Sequence, residues 1–270
     1  MFAKAFLLLL CGGFACQAFS QPITWIHGAR TAALANADAA LQGPWNTIGN
    51  PAGIAGCRSP AISFALERRF LMKELDTRAL TTVIPFKKQV FGLNINFFGS
   101  GLYNEHLVSL CYARALSPEF SAGFRINYHG IKLPGYTSQQ AWSVTAGVQA
   151  ALRSGLRLGA AISNPGRAAF NDELYAEIPL IASLGAAYSF SEKVLAAFEL
   201  ESISGFPVTV NTGLEYFPHP HLALRCGISS SPFRQYGGLG IRYKGLALDL
   251  SASSHRQLGF TPQITLSYVF

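Results

Sequence analysis

Residues 120–129, Phe120-Ser-Ala-Gly-Phe-Arg-Ile-Asn-Tyr-His129, set Phe120, Ala122, Phe124, Ile126 and Tyr128 against Ser121, Gly123, Arg125, Asn127 and His129. Successive side chains of an extended strand point to opposite faces, so this stretch carries one apolar and one polar face. Trp142, Val144, Ala146 and Val148 alternate in the same way with Ser143, Thr145, Gly147 and Gln149. Further along, Val208, Val210, Leu214 and Tyr216 alternate with Thr209, Asn211, Gly213 and Glu215. From about residue 59 onward the chain resolves into about fourteen such runs, each bounded by Gly, Pro, Ser or charged punctuation.

Alternation alone also suits a soluble β-sandwich, so composition has to decide which side the apolar face meets. The chain has 270 residues, 50% hydrophobic and only 13% charged, with mean hydropathy +0.25. An ordinary soluble domain carries ~25% charged residues. A disordered chain is excluded by an aromatic fraction of 12%. After the first twenty residues no unbroken apolar run approaches the ~20 residues of a spanning helix. Hydrophobicity diluted by alternation is the pattern of a transmembrane antiparallel β-barrel, here of about 14 strands.

The connections agree with a barrel in which tight turns on one rim alternate with longer loops on the other. The gaps near Lys87-Lys88, Ser117-Pro118, Arg153-Ser-Gly155, Ser191-Glu-Lys193, Pro218-His-Pro220 and Lys244-Gly245 are tight. Those at 131–139, 164–177, 230–234 and 254–258 read as longer, with Ser204-Gly205 as a short exception. An even strand count places both ends in the periplasm of a bacterial outer membrane. The last run puts Ile264, Leu266, Tyr268 and Phe270 on one face and ends on an aromatic, which resembles the signal read by barrel-assembly machinery, with Tyr268 and Phe270 as its key residues.

At the other end, Lys4 followed by an apolar stretch and the small residues Ala18 and Ser20 reads as a secretory signal peptide over residues 1–20. Lipidation at Cys16 is disfavoured because Gly13 stands where an aliphatic residue is expected. Cys57, Cys111 and Cys226 remain, too few and too scattered for a disulfide framework. The net charge of +7 does not imply nucleic acid, since its basic residues divide between two rims. Lys87, Lys88, Arg153, Lys193 and Lys244 fall on the tight side, and Lys73, Lys132, Arg167, Arg234 and Arg256 on the other. Both sets suit the phosphates of outer-membrane lipid.

Residues 21–58 do not alternate. Ala29 to Leu41 is alanine-rich and favours helix by propensity, ending before Gly43-Pro44. A Gly/Pro loop follows, and because irregular backbone is not tolerated against lipid, the segment is expected inside the lumen as a hatch, with 59–270 forming the barrel. Gly28-Ala29-Arg30, the small-residue run to Ala40, Trp45-Asn46 and Asn50-Pro51-Ala52-Gly53-Ile54-Ala55 resemble the start of the PorV/PorQ group of outer-membrane proteins. That group is related in fold to the FadL long-chain fatty-acid channels. The resemblance implies an amino-terminal hatch in a fourteen-stranded barrel, with Gly28, Arg30, Trp45, Asn50, Pro51 and Ala52 as its motif. Asn50-Pro51-Ala52 reads as a structural corner, since Pro51 fixes its own φ and pushes Asn50 toward extended backbone.

No motif calls for catalysis, a cofactor or a metal. His129 with Ser163 lacks an orienting acid. His219 and His221 supply two imidazoles where a metal site needs more. Gly237-Gly-Leu-Gly240 has no following helix and reads as a strand that something approaches closely. By parity, Glu67, Arg69, Arg125, Arg157, Glu199, Glu201, Glu215, Arg225, Arg242 and Asp249 share the polar face, and charges of both signs there form a lattice that pins the hatch.

Two functions compete. The resemblance implies a non-enzymatic adaptor for protein export of the type IX secretion kind, whose partners are secretion-system components or exported proteins. The alternative is a FadL-like channel for a hydrophobic small molecule. An inward face of Ser, Thr, Gly, Asn and charge favours the adaptor, although Trp25, Ile26, Trp45, Ile48 and Ile54 in the hatch are apolar enough to line a pocket.

Overall fold

The computed structural model describes residues 25–101, 103–132, 134, 138–153, 155–170 and 178–270; the expected signal peptide lies outside the described residues. Fourteen strands follow one another: β1 Ala61–Arg68, β2 Asp76–Phe86, β3 Gln89–Ser100, β4 Tyr103–Ala115, β5 Phe120–Lys132, β6 Gln139–Arg153 and β7 Leu156–Ser163. The second half comprises β8 Ile181–Ser189, β9 Val194–Ile203, β10 Thr209–His219, β11 Leu222–Ser230, β12 Phe233–Tyr243, β13 Leu246–His255 and β14 Gly259–Val269. Each pairs antiparallel with its neighbours in sequence, and β14 closes on β1 from Ala61↔Val269 to Glu67↔Gln263. Closure pairs the strand edges, which is what allows a sheet to cross hydrocarbon.

The alternation in the sequence becomes the two sides of the wall. Phe124 is 42% exposed on the outside, while Arg125 beside it is 5% exposed and faces the lumen. Phe64, Leu110, Trp142, Leu184, Leu239 and Leu266 belong to the outer belt, and Ser63, Asn94, Ser109, Thr145, Asn211 and Thr265 to the buried inner face. On β14, Ile264, Leu266, Tyr268 and the flanking Phe270 are exposed on one side, and the Tyr268 and Phe270 rings meet edge to face with centroids 4.8 Å apart.

One rim carries the tight connections at 87–88, 116–119, 154–155, 190–193, 220–221 and 244–245. The other carries 69–75, 101–102, 133–138, 164–180, 204–208, 231–232 and 256–258. Three expectations about this loop rim need correction. The 231–232 connection is tight, because pairing runs on to Ser230↔Phe233 and absorbs Arg234 into β12, and the 256–258 connection is short because pairing runs on to His255↔Gly259. The connection at Ser204, expected to be short, runs over 204–208.

Residues 25–57 lie inside the barrel. Helix α1, Ala29–Ala33, is far shorter than the alanine-rich run suggested, and Ala35 and Asn36 turn left-handed at φ 57° and 59°. A short isolated helix gains little from propensity. Contact with the wall prevails here: Leu34 is fully buried against β10, and Ala37, Ala40 and Leu41 cluster with Ala187 and Ala197 on β8 and β9. Two 3-10 turns follow at Pro44–Thr47 and Pro51–Gly56. Ile54 then packs with Val83, Val90, Cys111 and Ala113.

Backbone meets backbone along this path because the wall supplies glycine where the hatch passes. Gly123 and Gly147 face each other across β5 and β6, Gly159 and Gly185 across β7 and β8, and Gly213 and Gly227 across β10 and β11. A Cβ on Gly123 would lie 2.5 Å from Ala52 N, and one on Gly213 2.7 Å from Leu34 Cα. A Cβ on Gly159 would collide with the Ala39 carbonyl. These glycines form a girdle that grips the hatch.

Candidate functional site

The motif residues of the hatch are placed against one another. Gly28, at φ 81°, leaves room for the Trp45 ring, which a Cβ would meet at 2.6 Å. Asn46 donates to the Leu41 carbonyl at 2.8 Å. Asn50 is extended at φ −75° and ψ 110°, and its Oδ1 accepts from Ala52 N at 3.1 Å to cap the second 3-10 turn. Its Nδ2 donates to Ala39 O at 2.7 Å and Val148 O at 3.0 Å, tying hatch to hatch and hatch to wall. Replacing Asn50 by alanine is therefore expected to cost about 1–3 kcal/mol, the cost of leaving buried backbone groups unsatisfied. The readout is a lower temperature for conversion of the compact to the unfolded band on electrophoresis.

The charged residues expected in the lumen divide into several groups. Glu215, 1% exposed, accepts from Arg30 Nη2 at 2.7 Å and from Arg225 Nε at 2.7 Å. Arg225 also donates to Asp249 Oδ1 at 2.7 Å. Burial opposes the charge on Arg30, but the Glu215 carboxylate outweighs it and holds the Arg30 pKa above its ordinary value. Arg125 donates to the carbonyls of Thr47, Ile48 and Gly49 and to Thr145 Oγ1. Glu199 accepts from Ala39 N at 2.7 Å.

The remaining charged residues stand apart from these bonded groups. Arg69 does not belong to the strand row: β1 ends at Arg68, and Arg69 bends back in a 3-10 turn to reach Glu67 at 2.7 Å. Arg157 and Arg242 are partly exposed, and the Arg242 guanidinium lies 4.8 Å from the centre of the Phe217 ring. Glu201 shares the inward side of β9 with Glu199 without joining it.

His129 donates to or accepts from Ser143 at 2.8 Å, while Ser163 pairs with Thr145 at 2.9 Å, so the His129 and Ser163 considered together are not joined. The His219 and His221 rings lie 5.2 Å apart in a tight turn. No group of three or more metal-ligating side chains occurs among the described residues. Gly238 sits in β12, where a Cβ would lie 2.5 Å from Ala33 Cβ. Among the described residues Cys57, Cys111 and Cys226 are free, and burial pushes the Cys57 thiol up to about 12, which keeps it protonated and unreactive at neutral pH.

Between the hatch and the loop-rim half of the wall lies a cavity of about 280 Å³. Its apolar sides come from Trp25, Tyr103, Leu107, Phe170, Ile181 and Ile203, and Ile48 and Gly49 of the hatch form part of its base. Of the apolar hatch residues, Trp25 and Ile48 line it, whereas Ile26 and Trp45 pack with Ala65 and Ala79, and Ile54 packs in the cluster with Val83. The strand contribution escaped the parity argument because that argument follows the middle of the strands, whereas Leu107, Ile131, Ile181 and Ile203 put larger aliphatic side chains on the inward row near the loop rim. A second concavity, of about 520 Å³, is a dent in the outer side of the wall where Ala186, Ala196 and Cys226 stand among Phe198 and Leu214. It offers no way inward, since Leu34 and Ala35 fill the space behind Gly213 and Gly227.

No protein-family model and no curated protein matches the chain. Solved structures do. The toluene transporter TbuX of Ralstonia pickettii superposes with TM-score 0.70 at 13% identity, over 90% of this chain and 98% of that one. The toluene transporter TodX of Pseudomonas putida gives TM-score 0.67 at 13% identity, over 94% and 98%. A Pseudomonas aeruginosa FadL homologue gives 0.63 at 11%, over 93% and 99%. At these identities the likeness is one of fold, a closed barrel that has fourteen strands in this chain.

Proposed function

We propose that the protein is a bacterial outer-membrane barrel that takes up small hydrophobic molecules, with the cavity beneath the loop rim as their binding station. The observation that carries this reading is the cavity itself: a concave, mostly apolar space with a few convergent polar groups is the usual form of a small-molecule site. Its place at the loop rim suits a ligand arriving from outside, with the tight turns and both termini on the periplasmic side. In this reading residues 1–20 direct export, and the last strand, ending at Phe270, is what the assembly machinery recognises. The toluene transporters of similar fold support a hydrophobic ligand.

The preference drawn from strand parity is thereby reversed. An adaptor of the PorV/PorQ kind, working in protein export, rests on the hatch motif, and the motif side chains are occupied within the hatch and against the wall. Purified protein held in an amphipol should bind ethylbenzene with one-to-one stoichiometry, and Ile181→Trp, which fills the cavity from the wall, should abolish it. Co-purification of a stoichiometric protein partner from native membranes, with no ligand bound by the purified barrel, would reverse the reading again.

A further inference from the structure

The base of the cavity has an electrostatic character that a site for plain hydrocarbon does not need. Four carboxyl groups line the space: Asp38 from the hatch, Glu105 from β4, and Glu199 and Glu201 from β9. Among the described residues the one guanidinium lining it, Arg125, is committed to the Thr47, Ile48 and Gly49 carbonyls and to Thr145. The histidines that line it are held as well: His27 bonds Asp38 at 2.6 Å, His129 bonds Ser143 at 2.8 Å, and the His106 ring lies against Tyr128.

Three of the acids have partners. Asp38 has His27, Glu199 has the Ala39 amide, and Glu105 accepts from the Tyr103 hydroxyl. Glu201 differs. It is partly buried, points inward from the loop-rim end of β9 between Glu199 and Ile203, and its carboxyl group has no hydrogen bond or ion pair among the described residues. A carboxylate withdrawn from water without a counter-charge is unfavourable, and a cation brought by a ligand relieves it. Trp25, Tyr103 and Phe170 stand around the same space, and aromatic faces attract ammonium groups.

We infer that the cavity selects small organic ammonium ions, protonated alkyl or aralkyl amines, over neutral and anionic molecules of the same shape, with Glu201 receiving the ammonium group and the aromatic side chains receiving the hydrocarbon. The inference rests on the cavity being a small-molecule binding station and names its ligand class. A carboxylate-headed amphiphile is disfavoured by the same four acids, since like charges brought together at low dielectric repel.

The test is isothermal titration of the full-length barrel in an amphipol at pH 7 with three probes of similar size: phenethylamine, ethylbenzene and 3-phenylpropionate. Phenethylamine should bind about tenfold or more tightly than ethylbenzene, the scale of one hydrogen bond to a charged group, and 3-phenylpropionate should not bind. Glu201→Gln, checked for folding by its compact band on electrophoresis, should remove that advantage while leaving ethylbenzene within about twofold, because the amide keeps the shape and loses the charge. Equal affinity of the wild-type protein for phenethylamine and ethylbenzene overturns charge selection and leaves the binding station intact. Binding of none of the three overturns both. An undiminished advantage in Glu201→Gln overturns the assignment to Glu201.

Discussion

Valine at position 213 is expected to prevent the barrel from closing over its hatch. A Cβ there would lie 2.7 Å from Leu34 Cα and 2.8 Å from the Leu34 carbonyl, and both are backbone that cannot swing aside. Overpacking where flexible side chains can yield costs about 1–3 kcal/mol. Here neither the paired strand β10 nor the buried hatch can give, so the cost should exceed that range. Gly213→Val should yield little compact, heat-modifiable protein, or a barrel whose hatch becomes protease-sensitive. Gly237→Val is the control: a Cβ there meets nothing within 4 Å. Equal behaviour of the two variants would show that the girdle does not bear on the hatch.

Glu215→Leu should be nearly as damaging, through charge. Glu215 joins Arg30 of the hatch to Arg225 of β11, and Arg225 in turn holds Asp249 of β13. Removing one partner of a buried ion pair costs about 3–5 kcal/mol because the other charge is left without compensation. Arg30 would lose its carboxylate partner, and Arg225, whose side chain is fully buried, would keep only Asp249. Thermal conversion of the compact band should fall by tens of degrees or the protein should fail to insert. A loss no larger than that of Asn50→Ala would mean that water reaches and solvates the cluster.

The barrel was legible in the sequence because its cause is local. A period of two, repeated between turn residues, places Phe124 outside and Arg125 inside whatever the rest of the chain does. The strand count followed from the same signal, and the closed barrel has fourteen. Less legible was whatever depends on two distant segments meeting. Ala29 to Leu41 has the composition of a helix, but only Ala29–Ala33 is helical because the wall draws the remainder past its glycines. The cavity was missed for a related reason: parity describes the middle of a strand, whereas Leu107, Ile131, Ile181 and Ile203 change the inner face near the rim. Arg69 was placed by extending the β1 alternation one step beyond the end of the strand.

The first hydrogen bond of α1 to the wall runs from Ala29 N to Thr265 Oγ1 at 2.8 Å and joins residues 236 positions apart. Contacts of such sequence separation must wait for the chain between them to be arranged, and they slow folding accordingly. The same small helix lies against β12, β13 and β14, the last strands to be made. The amino-terminal segment is thus synthesised first and completes its contacts only once the last strands are in place. Until the carboxy-terminal strands arrive, its apolar residues have only part of their wall, and whatever chaperones the unfolded chain must shield Leu34 and its neighbours as well as the strand faces. The contacts of α1 with β12, β13 and β14 tie the completion of the hatch to the same strands that close the seam with β1.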